Sequence, residues 1–318
     1  GFFERLRSDL ALISDPVRAV NNLHRFLSSG FSTAILRDFQ THPILQRLAL
    51  ELFAQSQYLA DILVRDPELF RWLTTTNALK VAKSRSEYLS EAQAAVQLFT
   101  RIEKRLNALK RFHRREILRI GAREILKESD VVVITEELSA LADAVVQSVL
   151  EIGHQDLAGR TGADFKNTLG VIGLGKLGGS ELNFSSDIDL LFVYDQDGEF
   201  HAPQERIRTF HEYYNRLAEF IVRRLTEFSG EGRLYRVDMR LRPEGGAGPL
   251  ALSRTAYMLY HETRGELWER QMLLKARPVA GNVVVAQRLL DDLQPFVFPK
   301  TFFTSPVDEI ARMKQRIE

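Results

Sequence analysis

Cysteine is absent from the 318 residues, which excludes disulfides and thiolate metal ligands and suits a reducing cytoplasm. No segment approaches the roughly 18 consecutive apolar residues of a membrane-spanning helix. The opening Gly-Phe-Phe-Glu-Arg-Leu-Arg places acid and base where a signal peptide carries its apolar stretch. Histidines number seven (His24, His42, His113, His154, His201, His211 and His261), without a metal-ligand spacing such as H-E-x-x-H. Any metal is therefore expected on oxygen ligands, as Mg²⁺ or Mn²⁺. An excess of one charge is also missing: the net charge of +1 names no class of partner.

What is present is a globular composition, 45% hydrophobic and 27% charged, in a chain long enough for two or three domains. Residues 1–157 read as a helical domain, 158–280 as a mixed α/β domain and 281–318 as a helical C-terminal segment. Asp15-Pro16 and Asp66-Pro67 each place a capping aspartate before a proline suited to a first helical turn. Apolar spacing predicts helices over 44–63, from Ser90 past Arg101 toward Leu126, and over 135–152. Gly153 to Asn167 reads as a linker. Strands are expected at 168–173, 188–194, 234–239 and 249–252, with a helix from about His201 to Thr226. Arg254 to Arg277 reads as a helix broken near Gly265. Ser305-Pro306 opens a last helix, still running at Glu318, so the natural polypeptide is expected to continue; an opening without methionine likewise suggests a processed or cut chain.

Ten lysines and arginines against three acids lie between Arg101 and Lys127. Such a stripe fits a nucleic acid or an acidic surface. Apolar residues interleaved at helical spacing (Ile102, Leu106, Leu109, Phe112, Ile117, Ile120) favour a solvated face of an amphipathic helix, and disfavour nucleic acid.

The chemistry concentrates in Gly173-Leu-Gly-Lys-Leu-Gly-Gly-Ser-Glu-Leu-Asn-Phe-Ser-Ser-Asp-Ile-Asp-Leu-Leu-Phe-Val-Tyr194. Asp187 and Asp189 stand at the mouth of an apolar strand, where residues i and i+2 share a face about 6.5–7 Å apart. Gly173-x-Gly175-x-x-Gly178 matches a dinucleotide fingerprint, with Asp195 placed for a ribose. That reading fails on length, because the nine residues from Gly178 to Ser186 cannot hold a crossover helix of at least about 10–12. A phosphate turn next to paired aspartates fits a nucleotidyltransferase instead. Gly178 and Gly179 would let backbone approach phosphate, with Ser180, Ser185 and Ser186 as hydroxyl donors. Asp238, an acid in an apolar strand, supplies the third carboxylate that two-metal phosphoryl chemistry uses. Arg240 and Arg242 alternate with it as candidate phosphate ligands, as does Lys275, whose other reading is a helix cap together with Arg277.

These residues resemble a known family. Gly175-Lys-Leu-Gly-Gly-Ser-Glu-Leu-Asn-Phe-Ser-Ser-Asp-Ile-Asp-Leu190 looks like the signature of the bifunctional glutamine synthetase adenylyltransferase/adenylyl-removing enzymes. Val237-Asp-Met-Arg-Leu-Arg-Pro243, Trp268-Glu-Arg270 and Leu274-Lys-Ala-Arg277 resemble its later motifs. Arg111-Phe-His-Arg-Arg-Glu-Ile-Leu-Arg-Ile120 and Glu137-Leu-Ser-Ala-Leu-Ala-Asp143 resemble its helical region. The resemblance implies a predominantly helical α+β chain with a DNA polymerase β-like nucleotidyltransferase sheet. Asn183-Phe-Ser-Ser186 is similar to the half that removes AMP from glutamine synthetase. The implied reaction is metal-dependent phosphorolysis: inorganic phosphate attacks the α-phosphorus of adenylyl-tyrosine, releasing ADP and the tyrosine hydroxyl. By the same resemblance, Asp187, Asp189 and Asp238 hold two Mg²⁺ (or Mn²⁺) ions, and Gly178, Gly179 and Ser180 seat phosphate. Glutamine synthetase is the implied protein substrate, ADP or ATP the nucleotide, and the PII signalling protein a regulator. Two alternatives stay open: ATP-dependent adenylylation of the same tyrosine, and a non-catalytic module that docks glutamine synthetase.

Overall fold

The computed structural model describes residues 2–30, 32–163, 165, 168–200, 202, 206–300, 307, 311 and 315. The expected cap at Ser305-Pro306 and His201 itself lie outside them, but the helix expected from about His201 begins only at Phe210, after the non-helical residues 206–209. In chain order the helices are α1 (Phe2–Leu10), α2 (Pro16–Leu27), α3 (Ser32–Thr41), α4 (Pro43–Gln55), α5 (Gln57–Arg65), α6 (Glu68–Thr75), α7 (Arg85–Gln97), α8 (Ile102–Ile125) and α9 (Val131–Thr161). Then follow β1 (Leu169–Leu174), α10 (Gly175–Gly178), β2 (Ile188–Tyr194), α11 (Phe210–Thr226), β3 (Val237–Asp238), β4 (Ala251–Ser253), α12 (Arg254–Arg264), α13 (Leu267–Leu273), β5 (Arg277–Gly281), α14 (Val283–Asp292) and α15 (Gln294–Val297). The chain is α+β and predominantly helical, as its sequence predicts. Among the described residues no helix is long and apolar enough to cross a membrane.

The chain divides into two compact units, Gly1–Ser84 with Arg111–Leu138, and Arg85–Lys110 with Ser139–Glu318. In the first, Asp15 caps α2 by accepting from the Arg18 amide at 2.9 Å, with Pro16 in the first turn. The helix predicted over 44–63 is two, because the Ser56 hydroxyl leaves the helical path and caps α5 by accepting from the Leu59 amide. Asp66 ends α5, and the next helix starts at Glu68. Edge-to-face contacts of Phe26 with Phe53 and Phe70 (5.3 and 5.8 Å) centre the core.

The basic stripe between Arg101 and Lys127 is only partly the solvated face expected: Arg101, Lys104, Arg111 and Lys127 are exposed, whereas Lys110, Arg119 and Arg123 are buried. Arg119 and Glu116 are fully buried, and Arg123 and Glu137 nearly so. Glu116 pairs with Lys83, Arg115 and Arg119, while Glu137 takes both Arg119 and Arg123. Helical spacing identifies the face of such residues but not their partners, which come from α9 and from the segment before α7. Burial alone would raise the Glu116 carboxyl, yet Lys83, Arg115 and Arg119 together hold it below its ordinary value of 4.5. In the second unit, buried Lys110 donates to the Glu227 carbonyl at the end of α11 and to the Ser229 hydroxyl, both at 3.1 Å.

The sheet belongs to the second unit. Its order is β3-β2-β1-β5, and β4 also lies along β2. β1 runs antiparallel to β2 and β5, whereas β3 and β4 run parallel to β2, near its start and its end respectively. One edge strand is thus interrupted, and residues 239–250 leave the sheet between its two pieces. Asn215 closes the edge at β4: its side-chain oxygen accepts from the Leu250 and Ala251 amides and its nitrogen donates to the Ala251 carbonyl. Ile172, Leu174, Leu191 and Val193 pack on Tyr257, Leu289 and Leu293 from α12 and the α14 end.

Three further expectations need correction. Gly153 is no linker residue, since α9 continues to Thr161. The helix expected from Ser90 past Arg101 is interrupted between Gln97 and Ile102. Arg277–Gly281 is a strand, and its pairing with β1 supplies the structure that its short, proline-containing sequence does not advertise.

The buried ion network gives two predictions. Glu137→Ala leaves buried Arg123 beside no carboxylate and Arg119 with Glu116 alone, and should destabilise the first unit by about 3–5 kcal/mol in chemical denaturation. A carboxyl held below its unfolded value stabilises above that value and loses its contribution as pH falls through its folded value. Denaturation midpoints of the wild type should therefore decline below about pH 4.5, the ordinary value for Glu116, and this component of the decline should vanish in Glu116→Gln.

Candidate active site

β1 delivers the chain to a turn that needs glycine. Gly175 has φ +54°, and a Cβ there would lie 2.8 Å from Oδ2 of Asp189. The missing side chain lets the turn rest against that carboxylate. Four helical residues follow, closed by hydrogen bonds from Ser180 to Leu177 and from Glu181 to Lys176. Ser180 takes the left-handed C′ position of this cap, with φ +56°, where glycine is usual. Gly178 and Gly179 thus close the short helix rather than open it. A Cβ on Gly178 would meet the Lys275 carbonyl oxygen at 2.3 Å, so this glycine permits close packing of the segment leading to β5.

Asn183 then forms the bend before the aspartates. Its side-chain oxygen accepts from the Ser185 amide at 3.2 Å and the Ser186 hydroxyl at 2.7 Å. Ser186 is therefore engaged inside its own loop, next to Asp187.

β2 starts one residue later and fixes the carboxylates. Asp189 pairs in register with Leu174 on one side and with Asp238 on the other. Registered residues on parallel neighbours share a face, and the strands lie about 4.8 Å apart. Asp189 is half-buried between the buried Ile188 and Leu190. Burial, followed by the charges of Asp238 and Asp187, pushes its carboxyl above the ordinary value, with Arg240 acting in the opposite direction.

The two outer aspartates each carry a guanidinium. Asp187 pairs with Arg236, which also donates to the Ser185 carbonyl at 2.8 Å. Asp238 accepts from the Arg240 backbone amide at 2.8 Å and from its guanidinium at 2.5–3.0 Å. Those hydrogen bonds hold the Asp238 carboxyl below its ordinary value. The two residues of β3 end at Asp238, so Arg240 and Arg242 do not continue along its face as strict alternation predicted. Arg240 is exposed. Arg242 is buried and donates to the carbonyls of Gly248 and Gly246, both at 3.1 Å, and of Met239, bracing the 239–250 excursion. Lys275 lies across the turn from β2 and pairs with Glu181 at 2.5 Å.

The structure thus brings Asp187, Asp189, Asp238 and Arg240 together beneath the glycine turn, and keeps Arg242 with its own loop. Sequence reasoning missed Gly175, Asn183 and Arg236. The first was legible as the second glycine of the G-x-G pattern, and Arg236 as the cation two residues before the third acid. Three carboxylates without histidine or thiolate form a donor set suited to a hard divalent cation. Among the described residues, however, no three such side chains converge closely enough to ligate one ion in this arrangement, because Asp187 and Asp238 turn toward their arginines.

Comparison with known proteins places the chain beside a single family. The family described as GlnE, glutamate-ammonia ligase adenylyltransferase, matches residues 45–291. Proteins named bifunctional glutamine synthetase adenylyltransferase/adenylyl-removing enzyme are similar to this chain along most of its length. That of Nitrosococcus oceani is 33% identical over 98% of the chain, that of Pseudomonas aeruginosa 33% over 83%, and that of Hahella chejuensis 34% over 85%. The chain spans only 28–31% of the length of these relatives. With a family match over most of its residues, the chain belongs to the glutamate-ammonia ligase adenylyltransferase family.

Proposed function

We propose that this chain carries the adenylyl-removing activity suggested by its relatives' name, using phosphate to take AMP from an adenylylated tyrosine of glutamine synthetase. The observation that carries the reading is the registered Asp189–Asp238 pair, with Asp187 two residues away, under a turn whose Gly175 touches Asp189. Asp187, Asp189 and Asp238 would hold the divalent metal, Mg²⁺ or Mn²⁺ and two ions by analogy with two-metal phosphoryl transfer. When bound, the metal supplies charge neutralisation at the phosphoryl oxygens.

The chain's own groups take the remaining roles. A carboxylate face this dense in negative charge excludes a phosphate unless cations offset it, and Arg240, exposed beside Asp238, is the arginine placed to do so. Arg242 positions the excursion from which Arg240 projects. Lys275 and Ser180 flank the turn as further phosphate donors, Gly178 and Gly179 keep it compact, and Ser186 holds the loop before Asp187. In the reaction an oxygen of inorganic phosphate forms a bond to the α-phosphorus while the bond to the tyrosine oxygen breaks. The phenolate takes up a proton, and ADP leaves. PII binding and a cytoplasmic setting are further parts of the proposal, resting on family resemblance.

The test is incubation with fully adenylylated glutamine synthetase, Mg²⁺ and phosphate. Phosphate-dependent ADP is expected, with at least about a hundredfold loss in Asp189→Asn, the scale on which removal of a transition-state electrostatic group is felt. AMP transfer from ATP to unmodified glutamine synthetase, without ADP formation, would assign the forward reaction instead. Silence in both assays would contradict catalysis by this chain. Gly175→Ala should reduce turnover strongly, because its Cβ must displace the Asp189 carboxylate or the turn; wild-type turnover in this variant would show that the Gly175–Asp189 contact is dispensable.

A further inference from the structure

The second unit contains a polar row on α9, set among apolar neighbours. On α9, Ser139, Asp143 and Gln147 follow at intervals of four and so share one face, among the buried Leu138, Leu141, Ala142, Val145, Val146 and Val149. Ser139 and Asp143 are themselves almost wholly buried. Each side chain grips a main-chain or strand point far away in sequence. The Ser139 hydroxyl accepts from the Leu182 amide at 3.1 Å. The Asp143 carboxylate accepts from Arg277 at 2.7 and 3.1 Å and from Arg85 at 2.8 Å. Gln147 accepts from the Gly281 amide at 2.7 Å.

Two of these points bracket the glycine turn. Leu182 follows it directly. Arg277 pairs in register with Gly173, the last residue but one of β1 before the turn. Between them, Gly178 packs against the carbonyl of Lys275, two residues before Arg277. The third point, Gly281, pairs with Gly170 at the other end of β5, away from the turn. A hydrophobic helix needs no buried carboxylate to pack on a sheet, and burying one is unfavourable unless it is paired and hydrogen-bonded. Here its two guanidinium partners tie the start of β5 and the start of α7 to α9.

We propose that Ser139 and Asp143 are positioning residues for the nucleotide site, fixing both ends of the glycine turn so that Gly175 stays against Asp189. The proposal rests on the functional reading above for what the turn binds, but not for what holds it.

The experiment compares Ser139→Ala with Gln147→Ala in the full chain. Both remove a side-chain-to-amide bond from the same helix, one at the turn and one at the far end of β5, where Gln147→Ala also removes the Gln147–Glu151 bond. Hydrogen exchange is followed across 174–186, with thermal melting and the affinity for a fluorescent ATP analogue in Mg²⁺ measured alongside. Ser139→Ala should speed exchange in 174–186 and weaken nucleotide binding about fivefold, the net value of one hydrogen bond. Gln147→Ala should lower the melting temperature comparably and leave both other readouts unchanged, and Ser139→Thr, which keeps the acceptor, should restore affinity. Equal effects of Ser139→Ala and Gln147→Ala on affinity, or unchanged exchange across 174–186 in Ser139→Ala, would overturn the proposal. A wild type that binds no nucleotide would sink the functional reading, while the exchange comparison still decides whether Ser139 holds the turn.

Discussion

Two carboxylates on adjacent parallel strands, in register and on one face, repel each other. At about 5 Å and an effective dielectric of 20 the repulsion is roughly 3 kcal/mol. Asp189 and Asp238 are held this way by the pairing of β2 with β3, and burial first, then the Asp238 charge, raises the Asp189 carboxyl. Much of the surrounding structure can be understood as what keeps this arrangement in place. β2 is anchored by apolar residues on both sides of Asp189, β1 pairs along its full length, and α14 packs against β1 and β2. Arg236 and Arg240 stand at the outer carboxylates, where positive charge lowers the repulsion.

The same constraint explains why this part of the chain is rich in residues that give up side-chain volume or backbone freedom. Gly175 must be small because the Asp189 carboxylate occupies the space of its Cβ, and Gly178 because the Lys275 carbonyl occupies the other. Ser180 accepts a left-handed backbone, which costs a non-glycine residue about 1–2 kcal/mol. The 239–250 excursion also contains a left-handed residue, Glu244, tied to Arg264 at 2.7 Å, while Arg242 binds the excursion's carbonyls. Strain of this kind persists only where neighbouring packing over-determines it. In the first unit, by contrast, buried charge serves helix association: Glu116 and Glu137 neutralise a basic stretch that periodicity alone would have assigned to the surface.

What was legible in the sequence follows from how local the determining interactions are. β2 was readable to the residue, because an apolar run between turn residues has one plausible conformation. Asp187, Asp189 and Asp238 drew attention because acids beside or within apolar runs are conspicuous, and the pairing of β2 with β3 sets Asp189 in register with Asp238. The cap at Asp15-Pro16 is a purely local signal and formed as expected. β5 was not readable, since Arg-Pro-Val-Ala-Gly becomes a strand through β1 and through Asp143, which lies 134 residues earlier. The breaks at Ser56 and after Gln97 were hidden because apolar spacing continues across them. Alternation placed Arg240 and Arg242 on the face of Asp238, but the strand ends at Asp238 and the two arginines separate, one exposed and one buried. Gly178 drew attention as a phosphate seat, although the close contact with the site carboxylate belongs to Gly175.

The proposed divalent-cation site is formed by the Asp187, Asp189 and Asp238 carboxylates. Mn²⁺ binding to the wild type and to Asp189→Asn, followed by electron paramagnetic resonance at matched protein concentration and melting temperature, tests it most directly. Saturable Mn²⁺ binding by the wild type, competed by Mg²⁺ and largely lost in Asp189→Asn, is the expected result. Equal binding by the two proteins, or none by the wild type, would contradict it.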